Sequence, residues 1–312
     1  MLKVDPQVKA LLDQWAQEPK LDVSTLTPQT VRAGDKAVQK LQEPWAEMHS
    51  VKEITASTEE GEVLIKVYYP KSYVPENEHP VFIYFHGGGF VIDGESYESP
   101  IRQIAHLSNT IICAVEYSLA PENKYPKAVN EAIASVKWII DHLPTLNGNK
   151  EKVALGGDSS GGNLAAVVAL ENQKVHIHPF KCLILIYPML DATCSQPSIA
   201  EFANGYGFTK EKIHWYLNQY LPENADRTDP SISPLFAQNF NGFPYTFVAS
   251  AECDPIRDEG EVFAEKLKEA DVQVQLKRYP GMIHGFFQMA GMLNQGKRLI
   301  EDVVDELTRQ LS

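Results

Sequence analysis

Apolar positions change their spacing along this chain, and the changes divide it. In the first ~45 residues Val8, Leu11, Leu12 and Trp15 fall on one face of a helical period. Thr27-Pro28 ahead of Val31 predicts a second short helix, with proline in its first turn. Neither has a neighbouring strand to complete a βα unit, so the pair is read as a lid or clasp. From ~50 the rhythm turns strand-like. Runs rich in β-branched and aromatic residues stand at 63–70, 81–86, 111–118, 152–158, 181–188, 245–252 and 272–280. Helical patterns lie at 98–108, 126–142, 160–171, 257–270 and 294–311. Strands that are apolar throughout, alternating with helices, predict a mostly parallel sheet covered on both faces. The two early strands, with no helix between them, are expected to pair antiparallel at one edge. Residues ~189–242 break the alternation, with IHWYLNQYL (213–221) as their clearest helix. The expected organisation is N-terminal helices over 1–45 contributing to a cap, and one α/β domain over 46–312 carrying a cap insertion at about 189–242.

Composition narrows the setting. The 312 residues are 44% hydrophobic and 22% charged, ordinary globular usage that excludes a disordered or fibrous chain. Lys and Arg number 28 against 41 Asp and Glu, a formal charge of −13 that repels phosphate backbones and anionic lipid. Cys113, Cys182, Cys194 and Cys253 lie far apart without CxxC pairing, which reads as neither a disulfide framework nor a zinc site. The N-terminus has acids and glutamines where a secretory signal needs an apolar core. The longest nearly apolar run, 182–190, is under half of the ~20 residues a bilayer span requires. A reducing, cytoplasmic setting is the expectation.

Four segments carry chemistry. Gly157-Asp158-Ser159-Ser160-Gly161 closes one strand and opens a helix, the context that turns a weak G-x-S-x-G string into a nucleophile elbow. The hydroxyl of Ser159 then stands at a helix N-terminus, where developing negative charge is favoured. His86-Gly87-Gly88-Gly89-Phe90 follows a strand directly and leaves backbone N–H groups uncovered, as an oxyanion loop needs. Gly88, Gly89 and the amide of Ser160 are the candidate donors, and His86 is read as a loop anchor rather than the base. Asp254 and His284 each follow the C-terminal end of a strand, where ligands bind in open α/β sheets, and they come in the order Ser, Asp, His. Asp258 and Glu259 are better explained as first-turn acids of the next helix. His176 and His178 form H-x-H before Pro179, and a solvated loop explains them better than a metal.

With these pieces in place the chain resembles the bacterial hormone-sensitive-lipase-like carboxylesterases of the α/β-hydrolase superfamily. The resemblance runs over nearly the whole length: the N-terminal helices, HGGGF, EYSLAPENKYPKAVNE (116–131), GDSSGG, AECDPIRDEG and PGMIHGF (280–286). It implies an eight-stranded sheet, a cap over acyl and alcohol pockets, and cofactor-free hydrolysis of short- to medium-chain esters. Ser159, Asp254 and His284 would be catalytic, and Gly87, Asp158 and Phe208 would face substrate; of the aromatics Phe202, Tyr206, Phe208, Trp215 and Tyr216 in the insertion, some are expected to wall the pocket and others to pack the core. Two departures stand out: Ser118 where arginine is common, which loosens a structural ion pair, and Ser160 where alanine is usual.

Three competing readings differ in class. The plant gibberellin receptor resembles the same family but lacks the catalytic histidine, whereas His284 stands in place here. Amide hydrolysis would use the same triad on a poorer leaving group. A long-chain lipase fits badly with an acidic surface and no long apolar lid helix. The expected partner is a small-molecule ester, with no nucleic acid and no stable membrane association, and a homodimer is left open.

Overall fold

The structure, a computed structural model, describes residues 4–18 and 22–312. Eight strands form one sheet: β1 Met48–Thr58, β2 Gly61–Pro70, β3 His79–Phe85, β4 Ile111–Glu116, β5 Gly148–Asp158, β6 Cys182–Ile186, β7 Tyr245–Ala251 and β8 Val274–Tyr279. Their order is β1-β2-β4-β3-β5-β6-β7-β8. β1–β2 and β2–β4 pair antiparallel, and every later pairing is parallel.

The expected edge pair of 63–70 with 81–86 does not form. β2 pairs instead with β1 and β4, while β3 runs parallel between β4 and β5 near the middle. Burial explains the difference. β3 is buried along almost its whole length, as a central parallel strand must be, whereas β2 buries alternate residues over much of its own. β1 has no clean apolar face, with one residue in eleven fully buried, so periodicity could not reveal it.

Nine α-helices occur among the described residues: α1 Pro6–Trp15, α2 Pro28–Asp35, α3 Glu98–Ser108, α4 Lys127–Leu146, α5 Ser160–Val175, α6 Ser198–Glu201, α7 Lys210–Tyr220, α8 Arg257–Glu269 and α9 Asn294–Gln310. Alternation along β3 divides the core. Val81, Ile83 and Phe85 join one apolar cluster with residues of α4, α5 and α8, and Phe82 and Tyr84 join another with residues of α3 and α9. Val8 and Leu11 of α1 are buried in the second cluster. The Asp5 amide donates to the Gly281 carbonyl at 3.1 Å, tying the N-terminal segment to the loop after β8.

α2 starts where Thr27-Pro28 predicts. Thr27 and Thr30 exchange side-chain-to-backbone bonds at 3.0 and 3.2 Å, so two orphan donors of the first turn are satisfied. Ser118 also finds a role: its amide and hydroxyl donate to Glu131 at 2.6 and 2.8 Å, and Lys127 supplies the cation at 3.2 Å. The charge that arginine would bring thus comes from α4.

Candidate active site

The strand-to-helix turn at the end of β5 places Ser159 at φ 52°, ψ −119°, a conformation L-residues seldom adopt. It holds because glycines let the backbones meet. A Cβ on Gly161 would stand 2.0 Å from the Phe85 carbonyl oxygen, so α5 can pass the end of β3 this closely only without a side chain there. The Ser159 amide donates to the Ile186 carbonyl at 2.9 Å, and its own carbonyl accepts from Asn163 and Met189.

Around this serine three residues from distant parts of the chain converge. His284 Nε2 lies 3.0 Å from Ser159 Oγ, and His284 Nδ1 lies 2.7 Å from Asp254 Oδ2. Asp254 is fully buried, and its other oxygen accepts from the Ile256 amide at 3.0 Å. The carboxylate therefore fixes the proton on Nδ1 and leaves Nε2 as an acceptor toward the serine. Asp258 and Glu259 are engaged elsewhere. Asp258 accepts from Arg257 and from the Ser198 amide, and buried Glu259 accepts from the Leu190 and Asp191 amides at 2.7 and 2.9 Å. Glu259 thus does more than cap its helix: it anchors the start of the 189–242 segment.

The glycine loop lies alongside. Gly88 and Gly89 adopt φ of 103° and 61°, and their N–H groups meet no acceptor among the described residues. A Cβ on Gly89 would lie 2.4 Å from the Tyr216 ring, so that ring rests directly on the loop. His86 makes no hydrogen bond with the serine, whose hydroxyl pairs with His284. The His86 ring is buried, stacks on Tyr117 with centroids 4.4 Å apart, and donates from Nδ1 to the Gly87 carbonyl at 2.8 Å. Ser160 opens α5 fully buried, and its hydroxyl accepts from the Phe90 amide at 3.2 Å, which adds a strut to the loop.

These elements border a cavity of about 130 Å³. Gly88, Gly89, Asp158, Ser159 and His284 line it, together with Asp35 of α2 and with Phe208, Ile213 and Tyr216 of the 189–242 segment. The Phe208 ring stacks on His284 with centroids 4.5 Å apart. Gly87 is not among the cavity's lining residues, and its amide donates to Asp158 Oδ1 at 2.8 Å. Of the five aromatics named from this segment, Phe202 and Tyr206 are buried in one core cluster, Trp215 packs against the other, and none of these three lines the cavity, unlike Phe208 and Tyr216. Asp158 also accepts from the Tyr84 hydroxyl at 2.6 Å, and burial pushes its carboxyl up to about 6. Sequence reasoning missed Tyr187, Ile92, Gln288 and Asp35 as lining residues. Only Tyr187 carried a signal, standing just past the C-terminal end of β6.

A family profile described as alpha/beta hydrolase fold matches residues 82–288. An ethyl acetate hydrolase of Pseudomonas putida is 31% identical over 84% of this chain and 83% of its own length. A carboxylesterase of Mycobacterium tuberculosis is 30% identical over 92% of this chain and 90% of its own. Among solved structures, a hyperthermophilic esterase from Pyrobaculum calidifontis superposes with a TM-score of 0.91 at 33% identity, covering 98% of each chain. An ester hydrolase from the metagenome of Lake Arreo, solved with a bipyridine phosphonate derivative, reaches 0.94 at 32% identity over the same share of both. The sheet order, the turn at Ser159 and these likenesses agree: this chain belongs to the alpha/beta hydrolase fold family, in its hormone-sensitive-lipase-like carboxylesterase group.

Proposed function

We propose that this protein is a serine carboxylesterase that hydrolyses short- to medium-chain esters through an acyl-enzyme intermediate. The observation that carries this reading is the relay from Ser159 through His284 to buried Asp254, at 3.0 and 2.7 Å, beside a loop with uncommitted N–H donors. In the proposed cycle His284 Nε2 takes the Ser159 proton as Oγ attacks the ester carbonyl, and Asp254 stabilises the imidazolium that forms. The amides of Gly88, Gly89 and Ser160 receive the oxyanion, and the dipole of α5 favours charge at the same place. His284 then protonates the leaving alcohol, and water repeats the sequence on the acyl-enzyme. The helices before residue 45 and the 189–242 segment form the cap in this proposal, supported by Asp35, Phe208, Ile213 and Tyr216 lining the cavity.

A small ester as substrate is supported by the size of the cavity, well below the ~300–1,000 Å³ of drug-sized sites, and by the activity in the name of the Pseudomonas relative. No described helix is long and apolar enough to cross a membrane. A cytoplasmic location is supported by the free thiols of Cys113 and Cys182, both buried and both pushed up to about 12 by that burial.

The test is turnover of p-nitrophenyl acetate by the wild type and its variants. Ser159→Ala and His284→Ala should each lower kcat by roughly 10⁶ and Asp254→Asn by ~10⁴, with double variants far from additive. Near-normal activity in Asp254→Asn together with loss in Asp258→Asn would overturn the choice of acid.

A further inference from the structure

Asp35 ends α2 and lines the same cavity as Ser159 and His284, although it lies more than a hundred residues from either in sequence. No Lys or Arg is among the cavity's lining residues, and Asp35 has no ion pair among the described residues. The nearby ionisable groups offer it little: Asp93 repels it, and only buried His86 acts the other way. Tyr97 and Tyr216, whose hydroxyls burial keeps protonated, share the cavity wall with it. The Ser96 hydroxyl accepts from Gln288 Nε2 at 2.8 Å and donates its own proton to Asp35, while the Ser96 carbonyl accepts from Gln42, so Asp35 has one neutral donor and no cation. A half-buried carboxylate with a single hydroxyl donor and no cation, at the wall of a small cavity, keeps lone pairs open to a donor that enters the cavity.

We propose that Asp35 is a specificity-determining residue that selects esters whose acyl or alcohol arm carries a hydrogen-bond donor, a hydroxyl or a protonated amine. The inference rests on the esterase reading and deepens it. Hydrolysis proceeds at Ser159 as before, while the arm's donor reaches Asp35 at the cap end of the cavity. An alkyl arm of the same shape would desolvate the carboxylate and return nothing. Direct recognition from α2 also gives the N-terminal segment a role beyond covering the sheet.

The test compares kcat/KM within isosteric pairs on the full chain: methyl β-hydroxybutyrate with methyl isovalerate, glycol monobutyrate with propyl butyrate, and dimethylaminoethyl butyrate with isoamyl butyrate. For at least one pair the ratio of donor ester to alkyl ester should fall roughly tenfold in Asp35→Leu. A fall in a hydroxyl pair alone identifies a neutral donor, and a fall in the amine pair alone identifies a cation. Asp35→Asn keeps the shape and an acceptor oxygen but loses the charge; it should lower the affected ratio severalfold and carries the test if the leucine variant does not fold. A general loosening of the cap would slow both members of a pair together and leave their ratio alone. Ratios unchanged within about twofold in the variant that folds would overturn the proposal. Should the wild type hydrolyse none of these esters, the esterase reading fails instead.

Discussion

Asp158 is wholly buried beside the proposed nucleophile, and that position has a pH signature. Burial raises its carboxyl from an ordinary 3.8 to about 6, with the Tyr84 hydroxyl, His86 and the Gly87 amide working in the other direction. A carboxyl whose pKa rises on folding holds its proton more tightly in the folded state. Its contribution to stability is complete below ~3.8 and is lost as pH rises through ~6. The difference between ~3.8 and about 6 amounts to ~3 kcal/mol once pH reaches 7. Asparagine removes the titration and keeps an oxygen for Tyr84 and Gly87. Asp158→Asn should therefore gain ~2 kcal/mol on the wild type between pH 4 and pH 7 in denaturant unfolding; parallel stability curves would refute the assignment. Gly89 makes a second, catalytic test. Its φ of 61° and its contact with Tyr216 leave no room for a methyl group. Gly89→Ala should cost ~10²–10³ in kcat, the loss seen when one oxyanion donor is displaced, and an unchanged kcat would remove the loop from the proposed mechanism. Ser159, Asp254 and His284 were legible in the sequence because each follows a strand end within a distinctive string. Asp35 was not, since a carboxylate in the last turn of a short helix looks the same whether it faces solvent or a cavity.

One side chain of α2 makes several bonds to the rest of the fold. Arg32 donates from Nε to the Val91 carbonyl at 2.8 Å, from Nη2 to the Ala120 carbonyl at 3.0 Å, and from both Nη atoms to Glu122 at 2.9 and 2.7 Å. The guanidinium in turn holds the Glu122 carboxyl down at about 2. Val91 follows the glycine loop, and its amide donates to the Gly88 carbonyl. One residue thus connects the N-terminal segment to the backbone of the proposed oxyanion loop. Its ion pair is half exposed and contributes under ~1 kcal/mol by itself, so the effect of removing it should appear as looseness rather than unfolding. Arg32→Ala should raise KM for small esters about fivefold, equivalent to ~1 kcal/mol, and speed amide exchange across 28–41. Unchanged exchange in that stretch would mean that α2 is held by its packing alone. The helices and parallel strands were readable because apolar periodicity and burial coincide in them. β1 and the antiparallel end of the sheet were not, because an outer strand exposed on much of both faces has no period to find, and strand order depends on contacts between remote segments.

The cavity joins parts of the chain that are remote in sequence: Asp35 of α2, Phe208 ahead of α7, Ile213 and Tyr216 within α7, and Asp158 and Tyr187 at the ends of β5 and β6. The dimensions of that enclosure should set the chain-length profile. Each acyl methylene that enters an apolar pocket adds up to ~0.8 kcal/mol, a factor of roughly four, until the wall is met. Across p-nitrophenyl esters, kcat/KM should therefore climb from acetate toward butyrate or hexanoate and then drop. Ile213 is buried in α7 and lines the cavity, so its truncation should extend it. Ile213→Ala should move the optimum by about two carbons, at ~2–5 kcal/mol of stability. Deleting residues 1–35 should flatten the profile because water then competes for the acyl pocket. That deletion also strips Val8 and Leu11 from the core, so thermal stability must be measured alongside it. The decisive contrast is between a wall and an open surface. A wall gives an optimum that shifts with the volume of residue 213, whereas a lipase would give a continuous rise to palmitate with a jump in rate at the micellar transition. Only the first outcome is compatible with a cap that encloses the arm of a small ester.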